Sequence, residues 1–294
     1  MPENQLPKGL FDPRYAAFLE TVRGHRAILH RYCARMCGSV LDGEDVMQDV
    51  LLEAYRKLDL LKEPRAMKAW LFRIAHNRCL DHIRTKRSWN FVELDEANAP
   101  AFLPPEIPAF GTTNAIDRLV RTLPPMERAC VLLKDVLDLS LEEAAGVVGN
   151  SVGGVKSALH RGRARLAAQS EVSARPALDD PALVALLERY VALFNQRNWA
   201  GVVELTSADA HLHVADCYDG EIGNAPYFSE FQKSKTPWHL YLARFDGELL
   251  MMVSNWVEDS WRPTYPVRIQ IGVDGGLSIS DYYACPWLME GLVE

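Results

Sequence analysis

Residues 140–169 read SLEEAAGVVGNSVGGVKSALHRGRARLAAQ. Ser140 followed three residues on by Glu143 is a capping-box signature, in which each side chain satisfies a backbone amide of the other, so a helix starts there. Ala144, Val147 and Val148 carry that helix to Gly149, where a short turn through Asn150 meets a new N-cap at Ser151. In the second helix Val155, Leu159, Gly162 and Leu166 recur at helical spacing and face inward. Lys156, His160 and Arg163 form one outward row and Ser157, Arg161 and Arg165 the next, with no acid from Ser151 to Gln169. Two short helices on a tight turn, the second with a basic polar face, make a helix-turn-helix: the first braces the second, whose outward side chains enter a major groove. Lys156, Arg161 and Arg163 would attract phosphate, while Ser151, Ser157, His160 and the same arginines can reach base edges. Gly153 and Gly154 each cost about 1 kcal/mol of helix propensity unless a close backbone approach uses them. A solvated basic helix would show the same rows, so the surrounding chain has to decide.

Upstream, DGEDVMQDVLLEAYRKL at 42–58 repeats acids at Asp45, Asp49 and Glu53 with Gln48 beside them, one stripe of a helix. Val46, Val50, Ala54, Met47, Leu51 and Tyr55 take the other face. From Arg65 to Arg87 the balance inverts, with seven Lys/Arg against the single acid Asp81. In that stretch, PRAMKAWLFRIAHNRCLDHIRTKRSW, an apolar seam runs through Trp70, Ile74 and Leu80 or Ile83, and Lys68, Arg73, Asn77, Arg78, Arg84, Lys86 and Arg87 lie around it. Aromatics interleaved with bases suit single-stranded nucleic acid, which offers phosphates and exposed base faces. Trp70 reads as core; Phe72 stands between core and base stacking.

The 294 residues suit two or three domains, and 48% apolar with 24% charged residues is a globular composition. No run of 18 apolar residues exists, so no membrane partner is expected, and the start MPENQLPKGLFDPRY lacks the pattern of a secretory signal. Six scattered cysteines then read as reduced thiols of a cytoplasmic protein. His30, Cys33 and Cys37 share two helical turns, yet a fourth ligand is missing and apolar packing explains both cysteines, so no metal or cofactor is expected. The net charge of −7 is unevenly spread: residues 176–294 carry −10 and residues 1–175 carry +3. The front of the chain suits a polyanion and the rear does not.

Composition divides the chain into a tail (1–14), a helical segment (15–90), a linker with four prolines (91–113), a second helical segment (114–170), a short break (171–180) and a last segment (181–294). The last opens with the helix ALVALLERYVALFNQRN and continues as HLHVAD, WHLYLARF, ELLMMVSNWV, PVRIQIGV and LSISDYYA, short β-branched and aromatic runs separated by turn signals such as Asp246-Gly247. That reads as an antiparallel meander in an α+β domain with a curved sheet wrapped by its N-terminal helices.

Between residues 15 and 168 the acidic D-x-x-Q-D helix, WLFRIAHNRCLDHIR, the linker and LPPMERACVLLKDVLDLSLEEAAGVVGNSVGGVKSALHRGRARL together resemble the sigma-70 family, most closely the extracytoplasmic-function RNA polymerase sigma factors with their regions 2 and 4. The resemblance implies that Asp45, Gln48, Asp49 and Glu53 bind the β′ coiled coil of core RNA polymerase. It implies that Lys68, Phe72, Arg73, Asn77 and Arg84 meet the melted −10 element of promoter DNA, with Asn77 on a base and Arg73 and Arg84 on backbone. Ser151, Lys156, Ser157, His160, Arg161 and Arg163 would read the −35 element. Gly154 and Ala158 depart from the Thr and Arg common there, which bears on the promoter sequence and not on the role.

The last segment resembles SnoaL-like and ketosteroid-isomerase-like (NTF2-like) domains, cone-shaped α+β folds around a pocket. The expected whole is therefore multidomain: two all-α domains followed by an α+β cone. In the isomerase branch Tyr190 would be the oxyanion donor, but Val214 falls where the general base belongs, with His213 before it and Asp216 two beyond. Tyr190, His213 and Asp216 are the candidate pocket residues for an unassigned small ligand, and no enzymatic activity is expected. The resemblance implies a regulatory tail, and the charge split and the fusion itself lead to the expectation that this domain, with YYACPWLMEGL and the linker stretch FLPPEIP, holds the sigma regions by intramolecular contact in a closed, polymerase-incompetent arrangement. The rivals are a SnoaL-like pocket enzyme and a ligand-sensing helix-turn-helix repressor, neither of which needs the acidic stripe.

Overall fold

The computed structural model describes residues 13–61, 63–89, 109–110, 119, 122–168, 180–272 and 276–289. The tail up to residue 12, FLPPEIP and nearly all of the two linkers lie outside the described residues. The chain forms two compact units, one of residues 17–103 and 112–175, the other of residues 1–16, 104–111 and 176–294.

The first unit is helical. Helices α1 (Pro13–Cys37) and α2 (Val40–Arg56) are separated by a tight reversal in which Gly38 takes φ 93° and Ser39 Oγ accepts the Asp42 N–H at 3.3 Å. The reversal brings α2 hard against α1: a Cβ on Gly43 would stand 2.4 Å from the backbone of Ala34. Helix α3 (Met67–Trp89) packs on α2 around Leu29, Met36, Leu41, Met47, Leu51 and Leu71, all fully buried. Helix α4 (Pro125–Val131) runs on through a π-helical turn, Leu132–Val136. Helices α5 (Leu141–Val148) and α6 (Val152–Ala168) follow; α6 packs on α4 and α5, and α5 packs on α3. Arg128, 3% exposed, donates to the Met36 carbonyl at the end of α1 and to the Leu123 carbonyl at 3.0 Å. A buried guanidinium is tolerable only because carbonyls meet it. Both helical segments thus belong to one packed unit.

The second unit opens with α7 (Pro181–Asn195), capped by Asp180, and α8 (Trp199–Thr206). Strand β1 is Ala109–Phe110, and β2 (His211–Val214), β3 (Tyr218–Glu221), helix α9 (Tyr227–Lys233), β4 (Trp238–Phe245), β5 (Glu248–Val257), β6 (Ser260–Ile271) and β7 (Leu277–Asp281) complete it. The seven strands lie in the order β1-β4-β5-β6-β7-β2-β3. β4 to β7 form the expected antiparallel meander. Positive φ at both Asp246 and Gly247, and at both Glu258 and Asp259, gives hairpin turns whose twist matches the strands. A bulge between Val253 and Ser254 bends β5 against β6 and helps curl the sheet. Leu187, Tyr190 and Phe194 of α7 press into the sheet's core beside Leu212, Met251 and Val267. Asn195 fixes α7 to β4, donating to the Leu240 carbonyl and accepting its N–H, both at 2.8 Å.

The meander expectation is incomplete in two places. β2 joins β7 in parallel, and β1, from within the stretch read as linker, adds to the edge strand β4 in parallel. Neither pairing is local, so no turn signal announces it.

Candidate functional site

On α2, Asp49 is exposed and Asp45 and Glu53 are half-buried on the same side. Partial burial alone would raise the Glu53 carboxyl, but Lys57 and Arg78, each 2.5 Å away, outweigh it and hold the carboxyl below its usual range. Gln48 departs from its expected place. It is 6% exposed and donates to the fully buried Glu44, so it braces the helix from inside and presents no surface to a partner.

On α3, Arg73, Asn77 and Arg84 are exposed and lie within one helical stripe, and Lys68 is exposed near the helix start. Arg84 is paired with Asp81 at 3.0 Å. Phe72 is a correction: at 1% exposure it packs edge-on to Tyr32, ring centres 5.4 Å apart, and cannot stack on a base. The seam read through Trp70 and Ile74 is too narrow, because α2 and α5 both cover α3 and the buried arc extends to Leu71, Phe72, Ala75, His76 and Cys79. His76 shares a 3.0 Å hydrogen bond with the Tyr32 hydroxyl, and burial lowers its imidazole to about 4, so it is neutral at physiological pH. His30 bonds the Val40 carbonyl at 3.1 Å, and among the described residues no three His, Cys, Asp or Glu side chains could hold a metal.

The helix-turn-helix pair is built as its residues require. Ser140 Oγ accepts the Glu143 N–H at 3.1 Å while Glu143 accepts the Ser140 N–H at 2.7 Å. Gly149 closes α5 in the left-handed region, and Ser151 Oγ accepts the Gly154 N–H at 3.1 Å to start α6. A Cβ on Gly154 would meet the exposed Asn150 side chain at 2.5 Å, a contact that a turn of that side chain relieves. Ser151, Lys156, Ser157, His160, Arg161 and Arg163 are all exposed. Two of them are already engaged: Arg161 with Glu127 at 2.9 Å and Arg163 with Asp135 through two hydrogen bonds. These carboxylates pre-orient the guanidinium groups, and a phosphate would have to displace them.

The second unit holds a cavity of about 510 Å3. None of Tyr190, His213 and Asp216 lines it, which corrects the expected pocket. Leu212 and Val214 point into the cavity, so strand alternation turns His213 to the opposite face, where it lies 3.6 Å from Asp219. Asp216 sits in the turn after β2 at φ 60°, and Tyr190 is buried behind the wall with its hydroxyl toward Tyr227. The acid missing at 214 comes from a neighbouring strand. Asp281 of β7 is the register partner of Val214, lines the cavity, and is 1% exposed. It accepts from the Tyr227 hydroxyl at 2.7 Å and the Tyr283 N–H at 2.9 Å. Burial raises its carboxyl to about 6 against the pull of those bonds.

With this geometry in place, the comparisons with known proteins are specific. The Sigma-70 region 2 family matches residues 21–88 and the Sigma-70, region 4 family residues 113–166. The ECF RNA polymerase sigma factor SigW of Bacillus subtilis is 30% identical over 165 residues, 52% of this chain and 88% of that one. SigG of Mycobacterium tuberculosis is 31% identical over 227 residues, 68% of this chain, and the chain spans only 61% of SigG's length. The chain belongs to the extracytoplasmic-function RNA polymerase sigma factors. Among solved structures, the sigma factor RpoE co-crystallised with the anti-sigma factor NepR from Bartonella quintana is 24% identical over 51% of this chain and 92% of that one, at TM-score 0.40. SigJ of Mycobacterium tuberculosis is 20% identical over 94% of this chain and 98% of that one, at TM-score 0.33.

Proposed function

We propose that the chain is an alternative sigma factor that binds core RNA polymerase, directs it to its own promoters, and works by binding with no chemistry of its own. The supporting observation is the pairing of α2 and α3 in one unit. Asp45, Asp49 and Glu53 form an acidic surface on one helix, and Arg73, Asn77 and Arg84 a basic one on its neighbour. Opposite charges side by side make sense when one faces a protein and the other DNA. In this reading the acids meet the β′ coiled coil, α3 meets the opened −10 strand, and α6 reads the −35 duplex from Ser151, Lys156, Ser157 and His160, with Arg161 and Arg163 turning to phosphate. Gln48 and Phe72 contribute only by holding these helices in shape.

The second unit acts as a regulator in cis. Supporting this, residues 109–110, which lie between the two helical segments in sequence, pair with its edge strand β4. In vitro transcription from a genomic fragment library with core polymerase tests both statements. Full-length protein or the 1–170 truncation should give specific transcripts, and Asp49→Lys should abolish them while duplex binding persists. A gain on truncation identifies the second unit as a lid and a loss as a co-activator. Duplex binding without transcripts from either form would replace the sigma reading with that of a repressor.

A further inference from the structure

The cavity in the second unit has the size of a small-molecule site and a wall dominated by the rings of Tyr218, Tyr227, Phe231, Trp238, Tyr265 and Tyr283. One carboxyl group, that of Asp281, is set deep in this wall. Its hydrogen bonds from Tyr227 and the Tyr283 amide are both neutral, and among the described residues no lysine or arginine pairs with it. The titratable groups within its electrostatic reach are Tyr190 of α7, His213 of β2, Cys217 of the following turn, Tyr227 of α9 and Tyr265 of β6. The other charged lining residues, Glu230 and Lys233, neutralise one another at 2.7 Å. Trp238 already carries Arg197 over its ring at 3.6 Å, so that face is taken.

A buried carboxylate without a cation is costly, and a ligand that supplies the cation removes the cost. Aromatic faces attract the same kind of ligand through their quadrupoles. We propose that this cavity binds an organic cation, a protonated amine on an apolar or aromatic body, with the ammonium group on Asp281 and the body against the surrounding rings. A carboxylate ligand of the same shape would meet like charge, and a neutral one would leave Asp281 uncompensated. The inference stands apart from the sigma reading, since it concerns one cavity and not transcription.

Calorimetric titration of the full-length protein with three matched probes, 2-(1-naphthyl)ethylamine, 2-(1-naphthyl)ethanol and 1-naphthylacetate, tests it. The amine should bind at pH 7 at least tenfold more tightly than the alcohol or the acid. Asp281→Asn, which keeps the side chain's shape, should lose at least tenfold of the amine affinity. In the unmodified protein the amine's affinity should weaken as pH falls from 7 to 5 and Asp281 takes up its proton; this second measurement does not depend on the variant folding. An alcohol or acid that binds as tightly as the amine overturns the proposal. So does an amine that binds the variant equally well, an affinity flat between pH 7 and 5, or no binding of the amine.

Discussion

Asp281 meets opposed demands, since burial favours its neutral form while the hydroxyl of Tyr227 and the amide of Tyr283 favour the ionised one. Burial wins, and the rise from 3.8 to about 6 has a definite sign for stability. The folded chain holds this proton more tightly than the unfolded chain, so the contribution is complete below about pH 4 and is lost as pH climbs through about 6. Asp281→Asn should therefore stabilise the second unit at pH 7.5 by up to about 3 kcal/mol, and should flatten its pH dependence between 4 and 6. Denaturant unfolding followed by tryptophan fluorescence at pH 4.5 and 7.5 checks this, the hydrogen bond that the amide cannot accept setting how far the gain falls short of its limit; a variant whose stability changes between the two pH values as much as the parent's would mean that Asp281 does not take up the proton. The residue was legible in one respect only. In LSISDYYA, Leu277, Ile279 and Asp281 share a strand face, so the acid occupies a place where alternation calls for an apolar side chain. Its pairing with Val214 comes from a parallel contact 67 residues away in sequence, beyond any local pattern.

At the scale of elements, the two helix pairs proposed to carry the function were mostly readable. The capping box, the glycine turn and the inward row Val155 and Leu159 appear as their spacing predicts. The inward turns of Gln48 and Phe72 were not readable, because periodicity in one helix does not show how many neighbours cover it. Gly43 marks where α1 and α2 nearly touch, and since Ala34 opposes it with backbone, no side chain can yield. Gly43→Ala should cost about 1–3 kcal/mol by forcing the helices apart, read as a lowered denaturation midpoint of the helical unit. On α6, Lys156→Ala should weaken duplex binding evenly across sequences and reduce the salt slope by about 1, whereas His160→Ala should alter sequence preference more than the slope. Titrations at several salt concentrations separate the two; equal slopes for Lys156→Ala and the parent would remove that lysine from the phosphate contacts.

Over the whole molecule, the uneven charge and the proline-rich break pointed to a basic front and an acidic rear, and the two units follow that division except where residues 1–16 and 104–111 cross it. The packing of α3 against α5 was outside the reach of sequence reasoning, since both helices show only their own faces. It matters because α3, proposed to meet the −10 element, here packs against α5, the brace of the helix proposed to read the −35 element, with Glu143 in electrostatic reach of Lys68. Binding to core polymerase should separate them. Fluorophores at Ala66 and Glu142 should show a fall in energy transfer on adding core enzyme, and an unchanged signal would mean that the polymerase accepts the packed form. The two-residue pairing of β1 with β4 also has a temporal consequence. A ladder so short rests on very few hydrogen bonds, each contributing about 0.5–1.5 kcal/mol, so thermal motion alone unzips it often. Such a pairing works as a latch rather than a weld, one that opens and closes again at little cost.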